Sequence, residues 1–213
     1  MLASSCSTTN TPMTSVFFRW MLSCGNKKAI PHDDVEYYST PDADTWQIYR
    51  YDRLPPKAPN TVRLVCLSDT HEFHEKLKLP DGDVLIHCGD ILVTDYWSPR
   101  WLSWWRVKKF FAWMNKHPHK HKIAIAGNHD LVFKRYGAAA VKKIAGVTQY
   151  LCDELVTIMG LNVYGTPRSQ GKSWNDAFQD EATWAKKPPS GIPVTFSSLI
   201  KVRIGLAENL LLR

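Results

Sequence analysis

Four short apolar runs constrain the fold of this chain more than any other feature. They occupy positions 62–67, 83–88, 122–126 and 161–164, and a turn-forming residue follows each of them. Runs of this length that do not alternate with polar residues are typical of strands buried on both faces. Apolar residues recur at helical spacing from Pro99 to about Lys116, and a further helix is predicted from about Ala138 to Ala145. Strands that alternate with helices predict an α/β layered domain.

Composition agrees with one domain of ordinary size. The 213 residues are 44% hydrophobic and 22% charged, which is the composition of a globular protein. No uncharged apolar stretch is long enough to predict a membrane-spanning helix. The five cysteines are an odd number at no regular spacing, which favours reduced thiols. Because no clear signal peptide is visible either, a cytoplasmic location is the default expectation.

The first 58 residues differ in character from the rest. They are rich in Ser and Thr at their start, and a Pro-rich segment at 54–59 separates them from the predicted strands and helices that follow. We therefore predict a poorly ordered N-terminal leader over residues 1–58. A weak amphipathic targeting segment is an alternative for it, since acidic residues are absent before Asp33.

Basic residues are concentrated in one part of the chain. The net charge is +7, and the stretch from Arg100 to Lys143 contains eleven Lys or Arg and a single acid, Asp130. A field of this sign attracts phosphates, nucleic acid or anionic membranes. Two interpretations of the helix at 99–116 stay open: a helix buried between two layers, or an exposed surface of aromatic and basic residues.

Metal-competent residues follow three of the four apolar runs. These residues form the motifs Asp69-Thr70-His71, Gly89-Asp90 and Gly127-Asn128-His129-Asp130. Ligands of open α/β sheets bind outside the carboxyl ends of the strands. Aspartate oxygen with imidazole nitrogen suits Zn, Mn or Fe better than Ca. Each motif alone could be a simple turn, but three in succession predict a metal site.

Each motif offers a different kind of group. The carboxylate of Asp90 has two oxygens and can bridge two cations. Asn128 offers a neutral carbonyl ligand. His129 offers an acid or a hydrogen bond to a departing oxygen. We assign His74, His87, His117, His119 and His121 no place among the ligands, because they lie within strands or at the wrong end of one.

In this order and spacing, the three motifs resemble the calcineurin-like metallophosphoesterase superfamily. Residues 117–130 and 163–167 resemble its metallophosphoesterase-domain branch. The resemblance implies a calcineurin-like α/β/β/α sandwich of two mixed sheets. It also implies roles: Asp69 and His71 bind one metal, Asp90 bridges two, and Asn128 binds the second. His129 contacts the phosphate and assists the leaving group, and Asp130 forms a hydrogen bond near that histidine.

The resemblance ends before the chain does. It covers about 61–195, which implies a metallophosphoesterase domain (its N-terminal part) over 59–195 and a divergent tail over 196–213. Further metal-binding histidines stand late in the family pattern, yet no histidine follows His129. We therefore expect an incomplete second sheet, from a C-terminal truncation, alternative splicing or a mis-joined gene model.

The implied function is a dinuclear, metal-dependent phosphoesterase, most simply a phosphodiesterase, that attacks a phosphate ester with a metal-activated hydroxide. Manganese is the first expectation for the divalent metal, with iron or zinc as alternatives; the family uses two ions, and this chain is expected to hold one. Two other functions stay open. One is a catalytically poor family member acting as a regulatory or interaction module. The other is a nucleic-acid binder that uses the basic stretch.

Overall fold

The computed structural model describes residues 49–94, 96–168 and 174–179, together with the backbone of strand segments at 13–18, 34–38, 47–48 and 202–206. Ten strands, three α-helices and one short 3-10 helix, His74–Lys76, lie in these parts of the chain.

Seven strands form the larger sheet. In chain order they are β1 Met13–Phe18, β2 Asp34–Tyr38, β3 Gln47–Arg50, β4 Val62–Leu67, β5 Val84–His87, β6 His121–Ala124 and β7 Gln149–Tyr150. Their order across the sheet is β3-β2-β1-β4-β5-β6-β7. Strands β1 and β4 to β7 run parallel, whereas β2 runs antiparallel to both of its neighbours. The carboxyl ends of β4, β5 and β6 therefore meet at one edge.

The helices cover one face of this sheet. They are α1 Arg100–Lys116, α2 Leu131–Tyr136 and α3 Ala138–Ile144, so α1 and α3 confirm the two predicted helices. Val107, Phe110, Phe111 and Met114 of α1 are buried in a cluster with Val65 and other residues of the sheet. The opposite face of α1 exposes Trp101 (71%) and Trp105 (51%). The helix is therefore buried on one face and not between two layers, and its other face is the exposed surface of aromatic and basic residues.

A second sheet packs on the other face. Its strands are β8 Glu154–Ile158, β9 Leu161–Gly165 and β10 Val202–Leu206, in the order β10-β9-β8, all antiparallel. Ile158, Leu161 and Val163 join a second core cluster with Leu64 and Ile86 of the larger sheet. Alternate residues of β4 therefore enter different clusters, which confirms strands buried on both faces and an α/β sandwich of two sheets.

Some details differ from the sequence analysis. The described strands of the second sheet are antiparallel, although mixed pairing was predicted for it. Strands β1, β2 and β3 lie within 1–58, where we predicted a poorly ordered leader, and β10 lies within the tail at 196–213. Strand β1 pairs with β4, β2 with β1, β3 with β2, and β10 with β9, and local composition does not reveal this pairing. The domain boundaries themselves stay a prediction. Among the described residues, none of the helices has the length and apolar character that crossing a bilayer demands.

One buried histidine under α1 makes the fold sensitive to pH. His74 is 5% exposed and packs against the rings of Phe110 and Trp113. Burial lowers the pKa of His74 from 6.5 to about 4. The unfolded chain therefore takes up this proton at a higher pH than the folded chain does. Stability that is present above pH 6.5 is lost as the pH falls towards 4, on the order of 3 kcal/mol in all.

We therefore expect His74→Leu to reduce the pH dependence of the free energy of unfolding; the part due to the lowered pKa values of His87 and His117 should remain. Urea unfolding at several pH values between 7 and 5, in the presence of a chelator, measures it. The substitution Lys78→Gln at an exposed position of the same segment is the control for a general effect of changing it. An unchanged slope in His74→Leu would show that this histidine does not carry the effect.

Candidate metal centre

The three strand-end motifs come together at the carboxyl edge of β4, β5 and β6. Backbone hydrogen bonds hold the first two motifs side by side: the N–H of Asp69 donates to the Gly89 carbonyl (3.0 Å) and the N–H of His71 to the Asp90 carbonyl (3.1 Å). The side chain of Asp130 then holds the third motif against the second. Parallel strands next to one another make this convergence possible.

Three side chains form a cluster of cation-binding size. His71, Asp90 and His129 each offer one ligand atom, and these atoms all lie within 4.8 Å of one another. The rings of His71 and His129 meet edge to face, with their centroids 4.6 Å apart. His71 and Asp90 are buried and His129 is half-buried. This cluster, formed by two imidazoles and a carboxylate, suits a transition metal.

His71 is oriented by a backbone carbonyl. Its Nδ1 lies 2.9 Å from the carbonyl oxygen of Leu92, to which the ring donates. That bond fixes the tautomer and makes Nε2 the atom with a lone pair for a cation. Metal-binding histidines commonly donate their second nitrogen in this way.

Asp69 lies beside Asp90 in an environment that disfavours two negative charges. Burial raises the pKa of the Asp69 carboxyl, the Ser68 hydroxyl that donates to it opposes this rise, and the Asp90 carboxylate adds to it. Neighbouring carboxylates with raised proton affinity are stabilised when a cation neutralises them. Asp69 therefore fits the ligand role that the resemblance implies, although it lies outside the tight three-residue cluster.

Several of these residues have unusual backbone conformations. Asp69, His71 and Asp90 have φ values of 56°, 44° and 55°, in the left-handed region that non-glycine residues rarely adopt. Each such residue costs on the order of 1–3 kcal/mol, and such conformations concentrate at functional sites. The fold therefore maintains strain at three of the four predicted metal ligands.

Asn128 is held by the segment at 174–179. Its side-chain Nδ2 donates to the backbone carbonyl of Asn175 (3.1 Å). Its backbone carbonyl accepts from the N–H of Ala177 (3.1 Å). Because the amide nitrogen is engaged, the amide oxygen is the atom that could serve a cation. The structure thus places Asn128 at the same edge as the cluster, and its role as a ligand stays a prediction.

His129 is fixed at two points. Its backbone N–H donates to Oδ1 of Asp90 (3.1 Å), and its Nδ1–H donates to the carbonyl of Val93. The other ring nitrogen, Nε2, lies 3.5 Å from Nδ2 of Asn175. The ring can therefore present Nε2 to a ligand, whether that ligand is a substrate or a cation.

Asp130 joins two of the strand-end loops. It is fully buried, and its carboxylate accepts hydrogen bonds from the backbone N–H groups of Gly127 (2.7 Å), Ile91 (3.2 Å) and Leu92 (2.9 Å). Burial and the nearby Asp90 raise its pKa to about 7. The sequence analysis placed its hydrogen bonds near His129; its contacts show that it positions the loops that carry Asp90 and His129.

Gly127 lies so close to Asp90 that no larger residue fits at this position. A Cβ at this position would overlap the carboxylate and the backbone nitrogen of Asp90. We expect Gly127→Ala to destabilise the fold by about 1–3 kcal/mol, since the loop must move to admit the methyl group. The displaced Asp90 should also bind divalent metal more weakly. Urea unfolding and a metal titration measure the two effects, and unchanged values in both would contradict this steric argument.

The other histidines among the described residues lie outside the cluster. Both ring nitrogens of His87 are engaged, since the Gly89 N–H donates to Nδ1 (3.3 Å) and Nε2 donates to Oγ1 of Thr70 (2.9 Å). Burial lowers the pKa of His87 well below its ordinary value, so its ring is neutral. Sequence reasoning missed Asn175 and the carbonyls of Leu92 and Val93. Backbone carbonyls leave no signal in a sequence, and Asn175 lies far from the motifs along the chain.

Comparison with known proteins identifies the family of this chain. A family model described as calcineurin-like phosphoesterase matches residues 62–198. The UPF0046 protein C25E10.12 of Caenorhabditis elegans is 41% identical over 128 residues, covering 53% of this chain and 43% of that protein. Human metallophosphoesterase domain-containing protein 1 is 36% identical over 134 residues, covering 53% of this chain and 39% of that protein.

A third similarity covers much less of the other protein. The probable rhamnogalacturonate lyase C of Emericella nidulans is 36% identical over 143 residues, which is 61% of this chain and 13% of that protein. The chain spans about two fifths of the length of the nematode and human relatives. The matched residues include all three strand-end motifs, and the chain therefore belongs to the calcineurin-like phosphoesterase family.

Proposed function

We propose that this protein hydrolyses phosphodiesters with the help of divalent metal bound at the candidate metal centre. The observation that carries the proposal is the convergence of ligand atoms from His71, Asp90 and His129 within 4.8 Å, at the edge where Asp69 and Asn128 also lie. Family membership supports a metal-dependent phosphoesterase in general. The preference for diesters is our proposal.

The residues present fit a metal ion. Asp69, His71 and Asp90 would hold one ion, and Asp90 with Asn128 would contribute to a second. Manganese is our first choice because it accepts carboxylate oxygen together with imidazole nitrogen, as iron and zinc also do. Divalent ions at such a site neutralise an anionic ester and lower the pKa of water.

His129 would act on the substrate. With its Nδ1–H donating to the Val93 carbonyl, the ring has a proton on Nε2 to pass to the departing alkoxide oxygen only when it is doubly protonated. The bond from its backbone N–H to Asp90 keeps the ring next to the carboxylate cluster.

A second candidate function rests on ligand number. Among the described residues we assign a second ion two ligands, Asp90 and Asn128, one of them a neutral amide. Two such ligands hold a transition metal poorly against water. A chain that binds one ion and turns over poorly could act as a regulatory or interaction module.

Hydrolysis of bis(p-nitrophenyl) phosphate separates the two functions. We expect slow hydrolysis that depends on added Mn²⁺, disappears in Asp69→Asn and persists in Asp81→Asn, which changes an exposed carboxylate far from the centre. Hydrolysis that survives Asp69→Asn would contradict the proposed site. Bound metal without any hydrolysis would favour the module.

A further inference from the structure

The outer face of α1 carries an exposed stripe of tryptophan and lysine. Residues recur there at intervals of three, four and seven positions, so they lie on one side of the helix. The members of this stripe are Trp101, Trp105, Lys108, Lys109, Ala112 and Lys116, all exposed. It extends for about 22 Å along the helix, at 1.5 Å per residue. The opposite side of α1 packs into the core, so the stripe is not needed for the helix to fold.

Aromatic residues continue the stripe beyond the start of the helix. Trp97 is 93% exposed and Trp174 is 97% exposed. The segment that carries Trp174 contacts the loop before α1, because Thr94 Oγ1 donates to Asn175 Oδ1 (3.0 Å). An exposed tryptophan is costly in water, since each ring leaves a large apolar area unburied. Trp97, Trp101 and Trp105 follow one another at intervals of four residues, and exposed rings so spaced indicate a surface that meets something else.

Charge limits what that partner can be. Helix α1 contains no acidic residue, while Arg100, Lys108, Lys109 and Lys116 are exposed on it. One of these cations already lies over a stripe ring, with Lys109 Nζ 4.8 Å from the centre of Trp105. The partner must therefore combine negative charge with an apolar interior that can accept indole rings.

Single-stranded nucleic acid and an anionic lipid surface both meet this description. The exposure of the indole rings distinguishes between them. A ring that stacks on a nucleobase needs one face open and is normally backed by the protein on the other. Trp97 at 93% and Trp101 at 71% exposure have little such backing. A lipid interface instead surrounds an inserted indole on all sides, and tryptophan prefers that depth. Lysines along the same face then meet anionic headgroups.

We propose that the stripe on α1, together with Trp97, docks this protein onto the surface of an anionic lipid bilayer. The protein does not enter the membrane; indole rings sit at the headgroup level and lysines bind the charged surface. The Val93 carbonyl that fixes His129 belongs to the loop leading to Trp97, so docking brings the candidate metal centre close to the bilayer. The proposal does not depend on catalysis.

Co-sedimentation with vesicles tests the proposal without any activity measurement. Vesicles of phosphatidylcholine alone are compared with vesicles that also contain phosphatidylserine, and a single-stranded oligonucleotide is titrated in parallel. We expect binding to the serine-containing vesicles that weakens at high salt. The double variants Trp101→Ser/Trp105→Ser and Lys108→Glu/Lys109→Glu should each weaken it on the order of tenfold or more.

A matched variant elsewhere controls for net charge. Lys120→Glu/Lys143→Glu changes two exposed lysines outside the stripe, so its net charge equals that of Lys108→Glu/Lys109→Glu, and it should keep vesicle binding within a factor of about two. Thermal unfolding of every variant confirms that the fold is intact. Three results would overturn the proposal: no binding to the anionic vesicles, equal binding by the stripe variants and Lys120→Glu/Lys143→Glu, or stripe-dependent binding of the oligonucleotide without binding of vesicles.

Discussion

Asp90→Asn is expected to abolish tight binding of divalent metal and to reduce phosphodiester hydrolysis below detection. Asp90 is the carboxylate in the cluster with His71 and His129, and by resemblance it contacts both ions. Asparagine keeps the size of the side chain but removes its charge and one of its acceptor oxygens. Oδ1 could still accept the N–H of His129, so the loop should keep its shape.

Elemental analysis after gel filtration measures the bound metal, and Asp81→Asn serves as the matched control. We expect the wild type and Asp81→Asn to retain metal and Asp90→Asn to lose it. The assignment of Asp90 is wrong if Asp90→Asn retains as much metal as the wild type. Urea unfolding of all three proteins shows whether any loss reflects the site and not the fold.

His129→Ala is expected to separate catalysis from metal binding. Its neighbour Asn128 is the predicted ligand of the second ion, and we propose that His129 acts on the leaving group. The variant should therefore retain bound metal while kcat falls on the order of 10²–10⁴-fold, the usual contribution of a general acid. A substrate with a better leaving group needs less protonation, so the defect should shrink with it.

Metal content and kinetics of the same His129→Ala preparation decide this point. Loss of metal together with activity would show that His129 is a ligand. The test is sharp because His129 lies in the three-residue cluster with His71 and Asp90. A control is available in His121→Ala, which removes a half-buried histidine at the start of β6, the opposite end from the site.

Much of the site was predictable because its residues follow buried parallel strands. The apolar runs before Asp69, Asp90 and Asn128 identify three strands, and parallel strands place their carboxyl ends at one edge. This arrangement of the strands alone predicts that the three side chains lie near one another. The left-handed φ values of Asp69 and Asp90 could not be read in the same way, because local sequence does not favour that conformation for aspartate strongly enough.

Other features depend on tertiary contacts. Strand β8, Glu154–Ile158, is mostly half-buried and lacks a continuous apolar run, so only its pairing with β9 defines it. Strand β1 contains an apolar pair, Phe17–Phe18, yet its parallel pairing with β4 joins segments nearly fifty residues apart. The role of Asp130 was likewise hidden, since its partners are backbone N–H groups of two different loops. Sequence patterns report local preference, and these contacts are not local.

The most direct test of the metal centre is anomalous diffraction from crystals of this 213-residue chain grown with Mn²⁺. We predict one strong manganese peak in contact with Asp69, His71 and Asp90, and at most a weak second peak beside Asn128. The weak second peak follows from ligand number, since Asp90 and Asn128 alone should not hold an ion tightly. A strong peak elsewhere in the molecule, or none at this edge of the sheet, would contradict the account.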